Sequence, residues 1–442
     1  MQVPETPPQL DSGAQFKLYM ELQSRLVQAQ AALPADDYQH WDKLKFQKAP
    51  ANLTPEEWWT VVKYRRQAGW RLLPVRDKTG RPFVFGLTDL LLERLHKIDQ
   101  QMAGIIALPE KVTNPQTREH YVMRSLIDEA LHSSQIEGAV ATRKAAKEMI
   151  RAGRKPRNKS EQMVLNNFLA MERIKDLHQQ KLTPQVVRDL HRILTKQTLP
   201  DPADCGMLRT SDDIQVVDEA TGDVMHAPPP SVELPSRLQA MCDFANGETP
   251  KFFVHPVIRA ITLHFWLAYD HPFVDGNGRC ARALFYWSML RAGYWLLEFL
   301  SISTAVYKSR QQYYRAFLYA ETDDNDLTYF ILYHVEAISR AEEDLRRNLS
   351  KKARELQELN ALLRSSVQFN HRQRELLQHA LQHSEALYTI EEHRGAHNVV
   401  YQTARTDLLE LAEKGLLTKR RVKNAWVFSP QRGLERELKS IR

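Results

Sequence analysis

The sequence predicts a mainly α-helical fold, with one short β-hairpin inside the helical part and a winged helix-turn-helix at the C-terminal end. Three observations predict it. Glycine is scarce: 16 of 442 residues, about half of the roughly 7% of average usage. Leu, Ala, Gln, Glu and Arg, all good helix formers, are abundant. Helix-opening signals recur along the chain, as at Thr54-Pro55-Glu56-Glu57 and Thr183-Pro184. The length allows two to four domains and a real core.

Taken in order, residues 1–110 read as an N-terminal helical segment with a loose start at Pro4, Pro7 and Pro8. Thr54 as N-cap, Pro55 in the first turn and Glu57 three residues after the cap make a strong opening. The Trp58-Trp59 pair behind it is expected to anchor a core. Gly80-Arg81-Pro82 and Phe83-Val84-Phe85 suggest one turn and one strand. Residues 111–340 form a second, longer helical block, with a helix expected from about Thr117 to Gly138. Between Cys205 and Pro235 the pattern changes. Ile214-Gln215-Val216-Val217 alternates like a strand, Asp218 to Asp223 is a turn, and Val224-Met225-His226 returns. Helices resume from Pro256 to Tyr269 and from about Gly278 to Ala292. Residues 341–365 read as a charged connector helix, with Leu345, Leu349, Leu356, Leu359 and Leu363 near heptad spacing.

Residues 366–442 read as a separate module. His371 to His383 is one helix. Thr389-Ile390-Glu391-Glu392 caps a second, with a turn at Gly395. Val400 to Lys414 is a third, ended by Gly415. Leu416-Leu417-Thr418, a basic turn and Ala425-Trp426-Val427-Phe428 then make a two-stranded wing.

Charge and cysteine content narrow the setting. The formal charge of +7 permits nucleic-acid or nucleotide partners without requiring them. From 370 to 442 there are 13 Lys/Arg against 9 Asp/Glu, so more than half of the net charge lies in the last sixth of the chain. Cys205, Cys242 and Cys280 form no metal or CxxC pattern, which suits a reducing, cytoplasmic location. The first ten residues lack a basic start followed by an apolar run, so no signal peptide is expected. The most apolar stretch, Ala283 to Leu300, is broken by Arg291 and Glu298. It falls short of a membrane span of about 20 apolar residues.

The sharpest feature is His271-Pro-Phe-Val-Asp275-Gly276-Asn277-Gly278-Arg279-Cys-Ala-Arg282. Glycines on both sides of Asn277 let the backbone turn and present consecutive N–H groups to an anion. The loop runs straight into a helix, whose N-terminus adds donors and a positive dipole end. Arg279 and Arg282, three apart in the first turns, suit a polyphosphate. Asp275 can hold Mg²⁺ bridging phosphate oxygens. His271 supplies a base with an unperturbed pKa near 6.5. Base, metal ligand, anion nest and paired arginines within one short loop point to phosphoryl or nucleotidyl transfer. The chain has no P-loop, protein-kinase signature or zinc-protease helix.

At these residues the chain resembles the Fic-domain family, whose signature HxFx(D/E)GNGRxxR is matched at every fixed position from His271 to Arg282. The resemblance covers roughly residues 115–320 and implies a helical core with the hairpin at 213–227 as a target-binding flap. It implies transfer of AMP from ATP to a Ser, Thr or Tyr hydroxyl of a target protein, or of the chain itself, with release of pyrophosphate. His271 is then the base, Asp275 the Mg²⁺ ligand, and Gly276, Asn277 and Gly278 the anion hole. Arg279 and Arg282 bind the β- and γ-phosphates, and Phe273 anchors the loop. A second motif, Ser133-Ser134-Gln135-Ile136-Glu137-Gly138, is similar to the family's inhibitory pattern (S/T)xxxE(G/N). In that reading Glu137 pairs with Arg282 and self-inhibits the chain in cis. Arg209 and His226 flank the hairpin and are assigned no catalytic role.

The same fold admits two other readings. One is removal of AMP, or transfer of another nucleotide or phosphate group. The other is a nucleotide-sensing DNA-binding regulator. Gln402, Thr403, Arg405 and Thr406 near the start of the third C-terminal helix are residue types that read bases or phosphates. Arg420, Arg421 and Lys423 in the wing suit a nucleic-acid backbone. DNA or a protein is the expected partner of this module, and a homodimer is compatible with the connector helix.

Overall fold

The computed structural model describes residues 3–9, 12–28, 36–103, 115–217, 221–365, 368–383, 386–422 and 425–440. The chain divides into two units, Met1–Leu345 and Arg346–Arg442.

In the first unit, α1 (Ser12–Gln28) and α2 (Pro55–Ala68) pack around Leu22, Trp58, Trp59 and Val61. The opening of α2 is a full capping box: Thr54 Oγ1 accepts the Glu57 N–H at 3.2 Å, and Glu57 accepts the Thr54 N–H at 2.9 Å. An antiparallel hairpin follows, β1 (Trp70–Arg76) and β2 (Pro82–Gly86). The sequence predicts only the second of these strands. Pro74 conceals the first, because it lacks a ladder N–H. The register shifts between Leu72 and Arg76, while Leu73 and Val75 still point into the core.

Among the described residues, five helices lead to the flap: α3 (Asp89–Met102), α4 (Pro115–Ile136), α5 (Arg143–Ala152), α6 (Lys159–Leu177) and α7 (Pro184–Thr195). Thr88, Thr142, Asn158 and Thr183 cap α3, α5, α6 and α7 through their side chains. The predicted hairpin is short: β3 (Val216–Val217) pairs with β4 (Val224–His226), and residues 218–220 of its turn lie outside the described residues. After α8 (Leu234–Ala245) come α9 (Pro256–Asp270) and α10 (Asn277–Arg291). Both are buried along nearly their whole length, without a polar face. Such helices belong at the centre of a core. They pack on each other, and α6, α7 and α8 close around them. α11 (Ile302–Lys308) and α12 (Arg310–Thr322) follow, and α13 (Thr328–Ser365) continues past Leu345 into the second unit. No helix among the described residues is long and apolar enough to cross a membrane.

The N-terminal residues join this core through the turn between α12 and α13. Val84 of β2 donates to Asn325 O at 3.0 Å and accepts from the Leu327 N–H at 2.8 Å, so the turn lies beside β2 in a single parallel bridge. Buried polar groups fix the contact. Lys63 pairs with Asp323, Tyr38 Oη donates to Asp326 at 2.7 Å, and Arg66 donates to Tyr329 Oη at 2.7 Å. Hairpin and core are also tied near the end of α9. Arg237 donates to Arg76 O at 2.9 Å, Asp77 O at 3.0 Å and Asp270 Oδ1 at 3.1 Å.

The second unit has its own apolar core of Leu359, Leu363, Phe369, Leu377, Leu408, Leu411, Leu416 and Phe428. Of the heptad leucines, Leu349, Leu359 and Leu363 are buried and Leu345 is half-buried. α14 (His371–Gln382), β5 (Tyr388–Thr389), α15 (Ile390–His397), α16 (Tyr401–Glu413), β6 (Leu417–Val422), β7 (Ala425–Pro430) and α17 (Leu434–Ser440) follow in order. The strands pair antiparallel in the order β5-β7-β6. The turn expected at Gly395 is absent: α15 runs through it and ends at Asn398, whose φ of 48° is one Asn tolerates. Lys423 and Asn424, at the tip of the hairpin, lie outside the described residues.

The Lys63–Asp323 pair is 5% and 1% exposed, so removing the cation strands a buried carboxylate. Lys63→Ala is expected to destabilise the first unit by about 3–5 kcal/mol. Arg81→Ala removes a guanidinium that is 63% exposed, while its partner Asp77 keeps Thr79 Oγ1, the backbone N–H of residue 81 and Asn325 as donors, and is expected to cost about 1 kcal/mol or less. Urea unfolding followed by tryptophan fluorescence separates the two; equal losses would remove this pair from the docking contact.

Candidate functional site

The conspicuous loop joins the two central helices. His271 caps α9 in the left-handed region, at φ 44° and ψ 57°, and its N–H closes on Leu267 O at 3.0 Å. A non-glycine residue in this region is strained and persists only where its surroundings hold it. Here they do. Arg209 donates from its backbone to Pro272 O at 2.9 Å and from Nε to His271 O at 3.0 Å. The His271 Nδ1–H faces Ala268 O at 3.3 Å, which leaves Nε2 as the acceptor nitrogen. Burial lowers the imidazole pKa to about 4, so the ring is neutral at neutral pH.

Beyond His271, Phe273 is fully buried and stacks on His191 of α7, with ring centroids 3.7 Å apart and 7° between planes. Asn277 closes the loop, accepting the Phe273 N–H at 2.9 Å and donating to Phe273 O at 2.8 Å. His191 holds the other strand of the loop: Nε2 donates to Asp275 O at 2.8 Å, while Nδ1 accepts the Gly206 N–H at 2.9 Å. Burial lowers its pKa to about 4, which keeps this neutral tautomer. Sequence reasoning missed both His191 and the loop-holding part of Arg209. Neither lies near the motif in sequence, and only the fold brings them to it.

Gly276 takes φ 85°, and a Cβ there would meet Thr195 Cγ2 at 2.7 Å, so this position demands glycine. The first helical bond of α10 runs from the Cys280 N–H to Gly276 O at 3.0 Å. The N–H groups of Asn277, Gly278 and Arg279 therefore precede the intrahelical ladder. Asp275, 44% exposed, stands at the rim, with Oδ1 accepting from the Gly276 N–H and from Arg279 at 3.4 Å. A single rim carboxylate fits Mg²⁺, which commonly takes one or two carboxylates and completes its shell with phosphate and water.

The two arginines part ways. Arg279 is completely buried and turns behind the loop, donating to Leu194 O at 3.0 Å. Arg282 faces α4. Its Nε donates to Ser133 Oγ, and its Nη2 to Ser133 O and to Glu137 Oε1, each at 2.8 Å. Its Nη1 is buried without a partner and lies beside Gly278. Ser133, Glu137, Gly278 and Arg282, separated in sequence, thus meet at one point. Glu137 covers Gly278 so closely that a Cβ at 278 would collide with its carboxylate.

The sequence around Glu137 explains its placement. Gly138 at φ 84° ends α4, with the Ala139 N–H bonded to Ser134 O at 3.0 Å and the Gly138 N–H to Gln135 O at 3.1 Å. The helix itself is pinned at buried Glu129. That carboxylate accepts from Tyr286 Oη at 2.7 Å, Ser301 Oγ at 3.0 Å, the Ser303 N–H at 3.0 Å and Ser303 Oγ.

The flap is latched by His226. Nε2 faces Tyr269 O at 2.7 Å and Nδ1 faces Glu321 Oε2 at 2.8 Å, so both nitrogens meet acceptors. Burial alone would lower its pKa, but the Glu321 carboxylate outweighs burial and raises it. The paired flap residues Val217 and Val224 are 47% and 49% exposed.

Residues 181–289 match the Fic/DOC family. Over 208 residues the chain is 27% identical to a protein adenylyltransferase Fic of Nematostella vectensis and 30% identical to one of Drosophila willistoni. These alignments cover 46% of this chain, and 45% and 39% of the relatives, so the chain spans less than half of their length. A crystal structure of a Fic family protein from Desulfovibrio desulfuricans G20 superposes with a TM-score of 0.51 at 18% identity. It covers 78% of this chain and 97% of that one, and shows a shared fold. Ser133 and Glu137 lie outside the 181–289 match.

The histidines predict opposite pH responses. His191 and His271 are held neutral, so their contribution to stability is present above about pH 6.5, the unfolded value. It is lost as pH falls toward about 4. The His226–Glu321 latch runs the other way. Its contribution is full below about pH 6.5 and disappears as pH rises through the raised value. Urea midpoints across pH should show the first effect, flattened in His191→Phe. Proteolysis of residues 213–227 should quicken on the alkaline side; a pH-independent cleavage rate would count against the latch.

Proposed function

We propose that this chain, which carries a Fic/DOC-family domain at residues 181–289, is a protein adenylyltransferase held in check by its own Glu137. The observation that carries the reading is the Glu137–Arg282 pair at 2.8 Å, lying across Gly278 at the start of α10. A carboxylate at this point occupies the guanidinium and helix N-terminus that a nucleotide phosphate would need.

Once Glu137 swings away, the N–H groups of Asn277, Gly278 and Arg279 and the Arg282 guanidinium are free to receive the phosphates of ATP. Asp275 is the residue that holds Mg²⁺, whose charge when bound offsets that of the phosphates. His271 Nε2 takes the proton of a Ser, Thr or Tyr hydroxyl on the target. The hydroxyl oxygen bonds to the α-phosphorus, the bond to the β-phosphate oxygen breaks, and pyrophosphate leaves. The base is ready at neutral pH because burial keeps it unprotonated. Arg279, buried behind the loop, supports Asp275 and the loop backbone rather than reaching into the open site. Phe273, His191 and Asn277 hold the nest in shape before substrate arrives, the condition for electrostatic stabilisation. The flap's exposed strands suit a target segment added by β-pairing. The three free cysteines support a reducing, cytoplasmic location.

ATP labelled at the α-phosphate tests the assignment. The wild type is expected to label itself weakly, and Glu137→Gly at least about tenfold more, equivalent to about 1.4 kcal/mol of barrier. Ser133→Ala should fall between them, since it removes one of the bonds to Arg282. His271→Ala should take up no label, and ATP labelled at the γ-phosphate should label nothing. Equal labelling of wild type and Glu137→Gly would end the inhibitory assignment. Label retained by His271→Ala would end the base assignment.

A further inference from the structure

The second unit presents a surface that the adenylyl-transfer reading does not use. In α16, Ala404, Leu408 and Leu411 are completely buried against the unit's core. The same spacing leaves Tyr401, Gln402, Arg405 and Thr406 exposed on the other side, near the start of the helix. In β6 only Leu417 is buried, and Thr418 to Val422 are all exposed. Lys419, Arg420 and Arg421 pair across the ribbon with Phe428, Val427 and Trp426. Successive strand residues alternate faces, so the ribbon is basic on both faces. Lys419 Nζ lies 4.6 Å from the centre of the Trp426 ring.

The pairing of charges within the unit is lopsided. Asp407 is buried and takes Arg372 at 2.7 Å, Asn370 at 2.7 Å and His393 at 3.2 Å. Glu391 pairs with Arg394, Glu392 caps α15, and Glu410 accepts from Gln373. Among the described residues no ion pair holds Arg405, Lys419, Arg420 or Arg421. Asp407, Glu391, Glu392 and Glu410 are engaged in building the unit and Glu413, Glu435 and Glu437 are exposed elsewhere, while, among the described residues, the cations on α16 and the ribbon hold no ion pair.

We infer that α16 and the β6–β7 ribbon form a binding surface for duplex DNA. α16 has the width of the major groove, and its exposed start offers Gln402, Arg405 and Thr406 to base edges. The ribbon's three consecutive cations lie along the phosphate backbone, which supplies sequence-independent affinity. An acidic protein would meet the cations but has no use for the uncharged Gln402 and Thr406 between them, side chains that fit base edges.

The test uses the full chain and a fluorescent 30-base-pair duplex of mixed sequence, read by anisotropy at 50 and 200 mM salt. Binding is expected in the range of about 1–100 μM, weakening steeply with salt. The triple variant K419A/R420A/R421A should weaken it at least tenfold. It should also make the salt slope shallower by about 0.9 for each phosphate no longer neutralised. Arg405→Glu, on the other element, should also abolish binding and covers the case in which the triple variant misfolds. Thermal melting and self-labelling with ATP check that both variants keep their fold. Absence of salt-dependent binding up to about 100 μM would overturn the inference. So would unchanged binding by both variants, or a dimer in sedimentation that these variants disrupt without any binding of the duplex.

Discussion

The guanidinium of Arg282 is 4% exposed and must have an anion. A buried cation that loses its partner costs several kcal/mol, while a cation that exchanges one well-placed anion for another costs little. Ser133 supplies two neutral acceptors and Glu137 the one charged hydrogen-bond partner, with Glu129 adding charge at longer range. The site is therefore built for exchange. A carboxylate fills it, and under the proposed function a phosphate takes its place on the same guanidinium, including the unpartnered Nη1 beside Gly278. Glu137 is also a weak occupant on its own element. It sits at the C-terminal end of α4, where the carbonyl ends of the helix dipole disfavour a negative charge. Arg282 is its compensation, so whatever takes Arg282 releases Glu137.

This exchange requires that the helices stay still while the side chain moves. Glu129 provides that. Its four donors come from α10, from Ser301 at the N-cap of α11 and from Ser303 in the first turn of α11, and they lock α4 near the middle. The end of α4 is held by its turn at Gly138, by Gln135 Nε2 donating to Ala141 O at 2.9 Å, by Tyr314 Oη donating to Ile136 O at 3.5 Å and by Arg282. The loop opposite is just as rigid. His191 is stacked on Phe273 and bonded to Asp275 O, and Asn277 bridges the Phe273 backbone. The strained backbone of His271 is kept by Arg209 from the flap side. A neutral His271 and the loop's backbone N–H groups, with Glu137 lying over Gly278, are thus held in fixed positions.

Much of this was legible in the sequence, because helix caps and the loop motif are local signals. Thr54, Thr183 and Thr389 open helices as their spacing predicts. The meeting of Glu137 with Arg282 was legible only through the resemblance to a family, since 145 residues separate them. His191, Glu129 and the holding role of Arg209 were not legible. Each acts through tertiary contacts, and a lone buried histidine on an amphipathic helix looks like any core residue. The arginine pair shows where spacing misleads. Residues three apart on a helix differ by about 60° in direction. That was enough to send Arg279 toward Leu194 of α7 and Arg282 toward Ser133 of α4. β1 was hidden by Pro74, a residue that breaks the ladder locally while its neighbours still pack inward.

The N-terminal hairpin, which the sequence left without a role, bears on the base. The two residues before His271 are held from three directions. Tyr269 O accepts from His226 of the flap, Tyr269 Oη accepts the Lys78 N–H from the β1–β2 turn, and Asp270 pairs with Arg237. Arg237 in turn grips the carbonyls of Arg76 and Asp77. The last turn of α9 is therefore shared between the His271–Asn277 loop, the flap and the N-terminal hairpin. A base with one side tethered and the other open would lose orientation, and small errors of orientation at a reacting centre are costly in rate. The scarcity of glycine fits this design. Glycine is required at Gly276, where φ is 85° and a side chain would strike Thr195, and at Gly278, where a side chain would strike Glu137. Around those two positions every neighbouring element is tied to at least one other.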